Sequence, residues 1–109
     1  FVADFKTEYD RIPSLFAAQG YDAALLIDSA VAAVDGDLKD KDALRAAFRA
    51  ADFNSVRGAF KFNHNHFPIQ NFYIRKVVKN DAGELTTELV GSAFENHEDA
   101  YAAECGMKW

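Results

Sequence analysis

The pair His64 and His66 is the pattern in this sequence whose chemistry can be named most directly. Side chains two positions apart point to the same face of a strand, so two imidazoles at this spacing could bind one metal ion. No carboxylate or thiol lies close by in the sequence to complete a coordination shell, and Asn63 and Asn65 alternate with the histidines. That composition is more typical of a polar loop, so we expect a loop here and no metal site.

No other group of residues forms a recognisable catalytic arrangement. The sequence contains neither the nucleophile elbow of hydrolases nor a glycine-rich phosphate loop. Gln70 and Asn71, which follow Pro68, could orient a ligand or only satisfy backbone groups. Arg57 could attract a carboxylate, for which an ion pair within the protein is the ordinary outcome. We therefore expect a protein that is not an enzyme and that needs no cofactor.

Charge and composition exclude further classes of protein. Acidic residues outnumber basic residues by 17 to 12, and the formal net charge is −5. This balance argues against nucleic-acid binding, because such domains usually carry a basic surface. No run approaches the roughly 18 apolar residues of a membrane-spanning helix. The first residues, from Phe1 on, already have a helical pattern without an N-cap, so we expect the sequence to be part of a longer one.

Hydrophobic spacing predicts three helices in the first half of the chain. The first covers residues 1–11 and ends before Pro13. The second covers residues 14–34, with Ser14 as its N-cap and Gly36 as its stop. Its apolar stripe leaves Asp22, Asp28 and Ser29 outside and consists of Ala23, Leu26, Ile27, Ala30, Val31 and Val34. The third begins at Asp40 or Asp42 and should bury Leu44, Ala47, Phe48 and Ala51.

The second half of the chain has the composition of strands. Residues 60–62 alternate with period two, and residues 63–68 read as a loop. Residues 72–78 and 84–94 are predicted as a hairpin around the turn at 80–83, and Asp99 as the cap of a short last helix. A long apolar helix such as 14–34 normally lies on a sheet, and these residues supply little of one.

Five segments, taken in order, resemble one protein family. They are residues 18–23 (AQGYDA), 42–45 (DALR), 52–62 (DFNSVRGAFKF), 65–73 (NHFPIQNFY) and 77–80 (VVKN). Together they resemble the C-terminal third of type I periplasmic solute-binding proteins of ABC transporters, in the leucine/isoleucine/valine-binding-protein-like group. The resemblance covers nearly the whole sequence.

The resemblance implies an α/β fold, namely the C-terminal part of a two-lobed type I periplasmic-binding-protein fold. Three helices would be followed by a hinge strand, a hairpin and a short terminal helix. Residues 1–62 would belong to one Rossmann-like lobe, residues 63–80 would form the hinge crossing, and residues 81–109 would dock on the other lobe. The sheet under the second helix would come from the remaining N-terminal part of the same protein.

The resemblance also implies a function. Such proteins close a cleft around a small solute, here an amino acid or an aromatic carboxylate, and deliver it to the membrane permease of the transporter. We therefore expect an exported, periplasmic protein whose signal peptide lies outside these residues. In that oxidising compartment Cys105, the one cysteine, could pair with a cysteine of the absent N-terminal part or remain a free thiol.

The candidate solute-binding residues follow from the same resemblance. Phe16 matches a position at which an aromatic side chain of the family can contact the solute, although it could instead be one of several core phenylalanines. Gln19 and Tyr21 are further candidates on the same stretch of helix, and His66 could border the cleft.

Two other classes of function remain open on the sequence. The chain could be a small independent α+β domain with an enzymatic or sensory role. It could also be an interaction module that self-associates to cover its apolar helix face. Neither alternative predicts cleft closure.

Overall fold

The computed structural model describes residues 1–107 and confirms the predicted order of elements. The helices are α1 (Val2–Tyr9), α2 (Leu15–Ala33) and α3 (Lys41–Ala50), and the strands are β1 (Phe60–Phe62), β2 (Pro68–Lys79) and β3 (Leu85–His97). A short 3₁₀ helix, Ala102–Glu104, follows. The predicted segment 81–109 therefore ends two residues beyond the described part of the chain.

Local signals set the ends of α2 and α3. The Ser14 hydroxyl accepts a hydrogen bond from the Ala17 backbone N–H at 3.2 Å and caps α2. At the other end, the Gly36 N–H donates to the Val31 carbonyl at 3.0 Å, and Gly36 has a φ of 76°, which glycine adopts readily. The Asp40 carboxylate accepts from two backbone N–H groups, so Asp40 and not Asp42 caps α3.

The three strands form one antiparallel sheet in the order β1-β2-β3. Phe60 pairs with Gln70, and Phe62 pairs with Pro68, so β2 begins four residues before the predicted start at Phe72. Proline fits there because the first position of a strand can lack an N–H donor. The turn at residues 80–83 is confirmed by a hydrogen bond from the Gly83 N–H to the Asn80 carbonyl at 2.8 Å.

The terminal helix differs from the prediction. Asp99 accepts a hydrogen bond from the Tyr101 N–H at 3.1 Å, which closes the turn before the helix instead of capping the helix. The 3₁₀ helix begins at Ala102 without a side-chain cap. The second carboxylate oxygen of Asp99 accepts from the Asn65 amide at 2.7 Å, so the tail is fastened to the loop between β1 and β2.

The apolar core is small for a chain of this length. Within residues 1–107, the buried apolar side chains are those of Ala30, Ala51, Ile69 and Ala102. The surface area of 8119 Å² exceeds the roughly 6,000 Å² expected for a compact protein of this mass. The radius of gyration is 17.0 Å, against about 13 Å for a compact domain. Much of the apolar side-chain surface of residues 1–107 is therefore exposed in this structure.

The stripe predicted on α2 is only partly covered. Ala30 is buried against the rest of the chain, while Ala23 and Ile27 are exposed. Helix α2 packs on α3, and the sheet of this chain does not lie beneath it. The expectation that these residues supply little of the sheet for α2 therefore agrees with the structure.

One prediction for α2 is wrong, because Asp22 was placed outside the buried face and is only 2% exposed. Its carboxylate accepts hydrogen bonds from the Ser55 hydroxyl at 2.7 Å, the Val56 N–H at 2.9 Å and the Arg57 Nε at 2.6 Å. A buried charge costs several kcal/mol unless it is paired and hydrogen-bonded, and these three donors satisfy it. Asp22 thus fastens α2 to the segment that leads into β1.

The large solvent-exposed surface predicts that an isolated polypeptide of these 109 residues self-associates. Association would cover the exposed apolar stripe of α2. Light scattering coupled to size exclusion should give a mass above 12.1 kDa. Replacing Ile27 by Asp in the middle of the stripe is expected to weaken the association. A monomer that unfolds cooperatively would contradict the interpretation.

The Asp22 network predicts a large loss of stability in Asp22→Asn, since the substitution leaves Arg57 without its anionic partner. Breaking such a pair costs about 3 kcal/mol of unfolding free energy, measured by denaturant titration of the complete protein. The exposed ion pair between Asp42 and Arg45 provides the control. Asp42→Asn should leave the midpoint unchanged, and equal effects of the two substitutions would count against the network.

The same network predicts a dependence of stability on pH. Burial alone would raise the pKa of Asp22, but hydrogen bonds from Ser55, Arg57 and Val56, with the Arg57 charge, lower this pKa below the ordinary value of 3.8. A lowered pKa contributes stability that is present above the ordinary value and is lost as the pH falls below it. The difference in thermal midpoint between wild type and Asp22→Asn should therefore narrow below about pH 4. A difference that stays constant to lower pH would refute this origin.

Candidate functional site

The first turn of α2 presents an aromatic ring beside a helix N-terminus. Phe16 is 78% exposed, and its neighbour Leu15 is exposed as well. The Ser14 cap satisfies one backbone N–H of this turn. The N-terminus of a helix favours anionic groups, because its first N–H groups and the helix dipole point outwards. This turn can therefore contact both the ring and the charge of an aromatic anion.

A cleft of about 570 Å³ opens beside this turn. Its walls come from the start of α1, the start of α2, the segment around Arg57 and the first half of β2. The polar side chains in the walls are those of Ser14, Gln19, Arg57, Gln70, Asn71, Tyr73 and Arg75. Its size and its mixture of apolar and polar groups are in the range of small-molecule sites.

The structure separates the four predicted solute-binding residues. Gln19 lines this cleft, one turn along α2 from Phe16. Tyr21 lies in a different groove between α1 and α2, where its ring packs on Phe1 at a centroid distance of 4.9 Å. Five residues along a helix correspond to a rotation of about 140°, so Phe16 and Tyr21 point in different directions. His66 lines a third groove, beside α3.

Two cleft residues, Tyr73 and Arg75, were missed by the sequence reasoning. The Tyr73 hydroxyl accepts a hydrogen bond from the Asn71 amide at 3.3 Å, and Arg75 donates to the Thr87 hydroxyl at 2.8 Å. No carboxylate of the described residues forms an ion pair with Arg75. Gln70, Asn71 and Phe72 line the same cleft, and the pairing of β2 with β3 shifts between Phe72 and Tyr73, so no simple period of two in the sequence marked these residues.

Glycine is required where the segment before β1 meets β2. Gly58 has a φ of 106°, which side chains other than glycine rarely adopt. A Cβ atom at this position would lie 2.9 Å from the Tyr73 hydroxyl oxygen. The Tyr73 side chain therefore reaches the backbone at residue 58, and the positive φ is what requires glycine there.

The two histidines lie in a turn, not in a strand. The His66 N–H donates to the Asn63 carbonyl at 2.9 Å, and His66 has a φ of 63°. The His64 N–H donates to the Asn63 side chain at 2.8 Å. The strand geometry that would align two imidazoles on one face is therefore absent. Among residues 1–107, no cluster of three or more His, Cys, Asp or Glu side chains could hold a metal ion.

Two further observations concern the described part of the chain. Cys105 is half-buried and forms no disulfide within residues 1–107, so a disulfide with a cysteine outside these residues and a free thiol both stay open. No helix among the described residues combines the length and the apolar content that crossing a bilayer requires.

The comparisons with known proteins agree with the resemblance seen in the sequence. The periplasmic binding protein family matches residues 1–83. A solute-binding protein of an ABC transporter from R. palustris, solved in complex with benzoate, is 39% identical with a TM-score of 0.79, over 97% of this chain and 28% of that one. An ABC transporter substrate-binding protein from Sphaerobacter thermophilus is 27% identical with a TM-score of 0.78, over 88% of this chain and 27% of that one.

The chain thus spans little more than a quarter of the length of either solved protein. No curated protein matches it. Both similar structures are solute- or substrate-binding proteins of ABC transporters. The family match extends over most of the sequence, and the three helices and three-stranded sheet superpose on part of the solved fold. The chain therefore belongs to the periplasmic binding protein family.

Proposed function

We propose that the complete protein is the solute-binding component of an ABC importer and that it captures a small carboxylate by closing a cleft. The observation that carries this proposal is the similarity, at 39% identity, to the R. palustris protein that was solved with benzoate. The sequence resemblance and the family match support the same conclusion. No covalent step is part of the proposal, and the solute is released unchanged.

The first turn of α2 supplies the chemistry that such a solute needs. The ring of an aromatic acid would stack on Phe16, which is otherwise exposed to solvent. Its carboxylate would accept hydrogen bonds from the N–H groups at the start of α2. Gln19 would add a polar contact from the adjoining cleft. Aromatic carboxylates therefore fit this turn better than aliphatic amino acids, which offer no ring for Phe16.

The other residues that could bind the solute would contribute less to its binding than Phe16 and Gln19. Tyr21 and His66 line grooves away from Phe16, so they would meet a solute only if it extended beyond the first turn of α2. Arg57 and Gln70 lie in the walls of the cleft beside Gln19. Most groups that surround the solute would come from the rest of the protein.

We propose the division of the chain that the family resemblance implies. Residues 1–62 would belong to one lobe, residues 63–80 would cross between the lobes, and residues 81–109 would dock on the other lobe. The ion pair between Lys6 and Glu84, at 2.6 Å, would then join the two parts at the tip of the hairpin. The partners of the complete protein in the cell would be the permease subunits of the transporter. The complete protein would be located in the periplasm.

Self-association is a second candidate, favoured by the large exposed surface of this chain. It would apply to the 109 residues alone, because the rest of a two-lobed protein would cover the same surface. Solute binding explains more observations, since self-association does not account for the similarity to a benzoate complex.

The proposal predicts that Phe16→Ala in the complete protein weakens the binding of benzoate about tenfold or more, since burial of a phenylalanine contributes roughly 1.5–3 kcal/mol. Isothermal titration calorimetry would measure the dissociation constant. Phe94→Ala is the matched control, because Phe94 is also exposed but lies on β3. It should bind benzoate as the wild type does.

A thermal-shift screen of benzoate-type acids and amino acids tests the solute class independently. A bound solute raises the thermal midpoint by an amount that grows with its concentration relative to the dissociation constant. If no compound of either class raises the midpoint, the transport function loses its support. If only aliphatic amino acids do, the place proposed for Phe16 is wrong.

A further inference from the structure

We propose that Asp22 and Arg57 act as a positioning pair for the solute site, holding the first turns of α2 at a fixed distance from β2 through Gln70. This inference rests on the proposed function, because it assigns these residues a role in how tightly the solute is bound. Asp22 and Arg57 would act through the residues whose positions they fix, and not through contact with the solute.

The α2 side of this connection is strong. Three donors converge on the buried Asp22 carboxylate, and the shortest distance is the 2.6 Å from Arg57 Nε. Hydrogen bonds between two charged groups are about twice as strong as neutral ones. Within residues 1–107, no other side chain of α2 makes a hydrogen bond to a distant segment. The turn around Arg57 therefore keeps its place relative to α2.

The hydrogen bond between Arg57 and Gln70 on β2 is weaker than the ion pair between Arg57 and Asp22. Arg57 Nη1 donates to the Gln70 side-chain oxygen at 3.4 Å, a long hydrogen bond to a neutral acceptor. The same guanidinium lies 5.8 Å from the centre of the Phe60 ring, where a cation–π contact adds to its orientation. Gly58 approaches Tyr73 in the same region. One planar guanidinium thus spans from the helix to the strand.

Because Asp22, Gln19 and Phe16 lie on the same helix, fixing the position of Asp22 also fixes the position of the proposed solute site. Asp22 lies three residues after Gln19 and six residues after Phe16, which is about 9 Å along the helix axis. Gln19, Arg57 and Gln70 line the same cleft. Binding groups must be held within about 0.5 Å of the productive geometry, so a shift of α2 relative to β2 would misplace Phe16 and Gln19 together.

The geometry requires arginine at residue 57. The fork of its guanidinium lets Nε pair with Asp22 while Nη1 reaches Gln70. A lysine would keep the charge and the ion pair with Asp22, but a single ammonium group cannot hold both partners in this planar arrangement. Arg57→Lys therefore separates the role in positioning from the charge that the fold needs.

The experiment measures benzoate affinity by calorimetry, and the thermal midpoint without solute, for the complete protein and three variants. These are Arg57→Lys, Gln70→Leu and the double substitution. Each single variant should bind benzoate roughly fivefold to tenfold more weakly, with a small change in the midpoint. Because both remove the same bridge, the double variant should be no weaker than the worse single variant.

Asp42→Asn is the matched control, because it breaks the ion pair of a different arginine, Arg45 on α3, and neither residue lines the cleft. It should leave benzoate affinity unchanged. If Arg57→Lys and Gln70→Leu bind as tightly as the wild type, the positioning role is refuted. If their effects add in the double variant, Gln70 acts on the solute independently of Arg57, which also refutes it. A wild type that binds no solute would instead refute the proposed function.

Discussion

The buried carboxylate of Asp22 is the constraint on which the arrangement of this chain depends. A charge buried on α2 has to be satisfied there, and among residues 1–107 the segment 55–57 supplies the donors. That segment leads into β1, which contacts α3 and pairs with the first residues of β2. The ion pair therefore connects α2 to the segment before β1, and Arg57 and the start of β2 form walls of the cleft beside the first turn of α2.

The scarcity of apolar packing explains why a polar network has this importance. The buried apolar side chains of residues 1–107 are four in number and three of them are alanines, so hydrophobic burial holds the elements together only weakly. In a two-lobed protein the uncovered stripe of α2 would pack on a sheet from the rest of the chain. Within residues 1–107, polar contacts between distant segments therefore specify the geometry more than burial of apolar side chains does.

Signals within a few residues of one another predicted local structure well. The Ser14 cap, the Gly36 stop and the turn before Glu84 each depend on neighbouring residues only, and each was predicted correctly. The burial of Asp22 depends on donors more than thirty residues away, which no periodicity of α2 could reveal. For the site, the role of Phe16 stays a prediction from the family resemblance, and Phe16 is not among the residues that line the cleft, whereas Tyr73 and Arg75 line it because β2 forms one of its walls.

The contact between Lys6 and Glu84 has a consequence for the order in which the chain can assemble. The two residues are separated by 78 positions, one in the first helix and the other at the turn between β2 and β3. During synthesis Lys6 leaves the ribosome long before Glu84 exists, so this contact can close only after the hairpin has formed. Phe1, at the start of α1, can pack on Tyr21 of α2 earlier, so the ion pair is a late contact of a helix that already has a local partner.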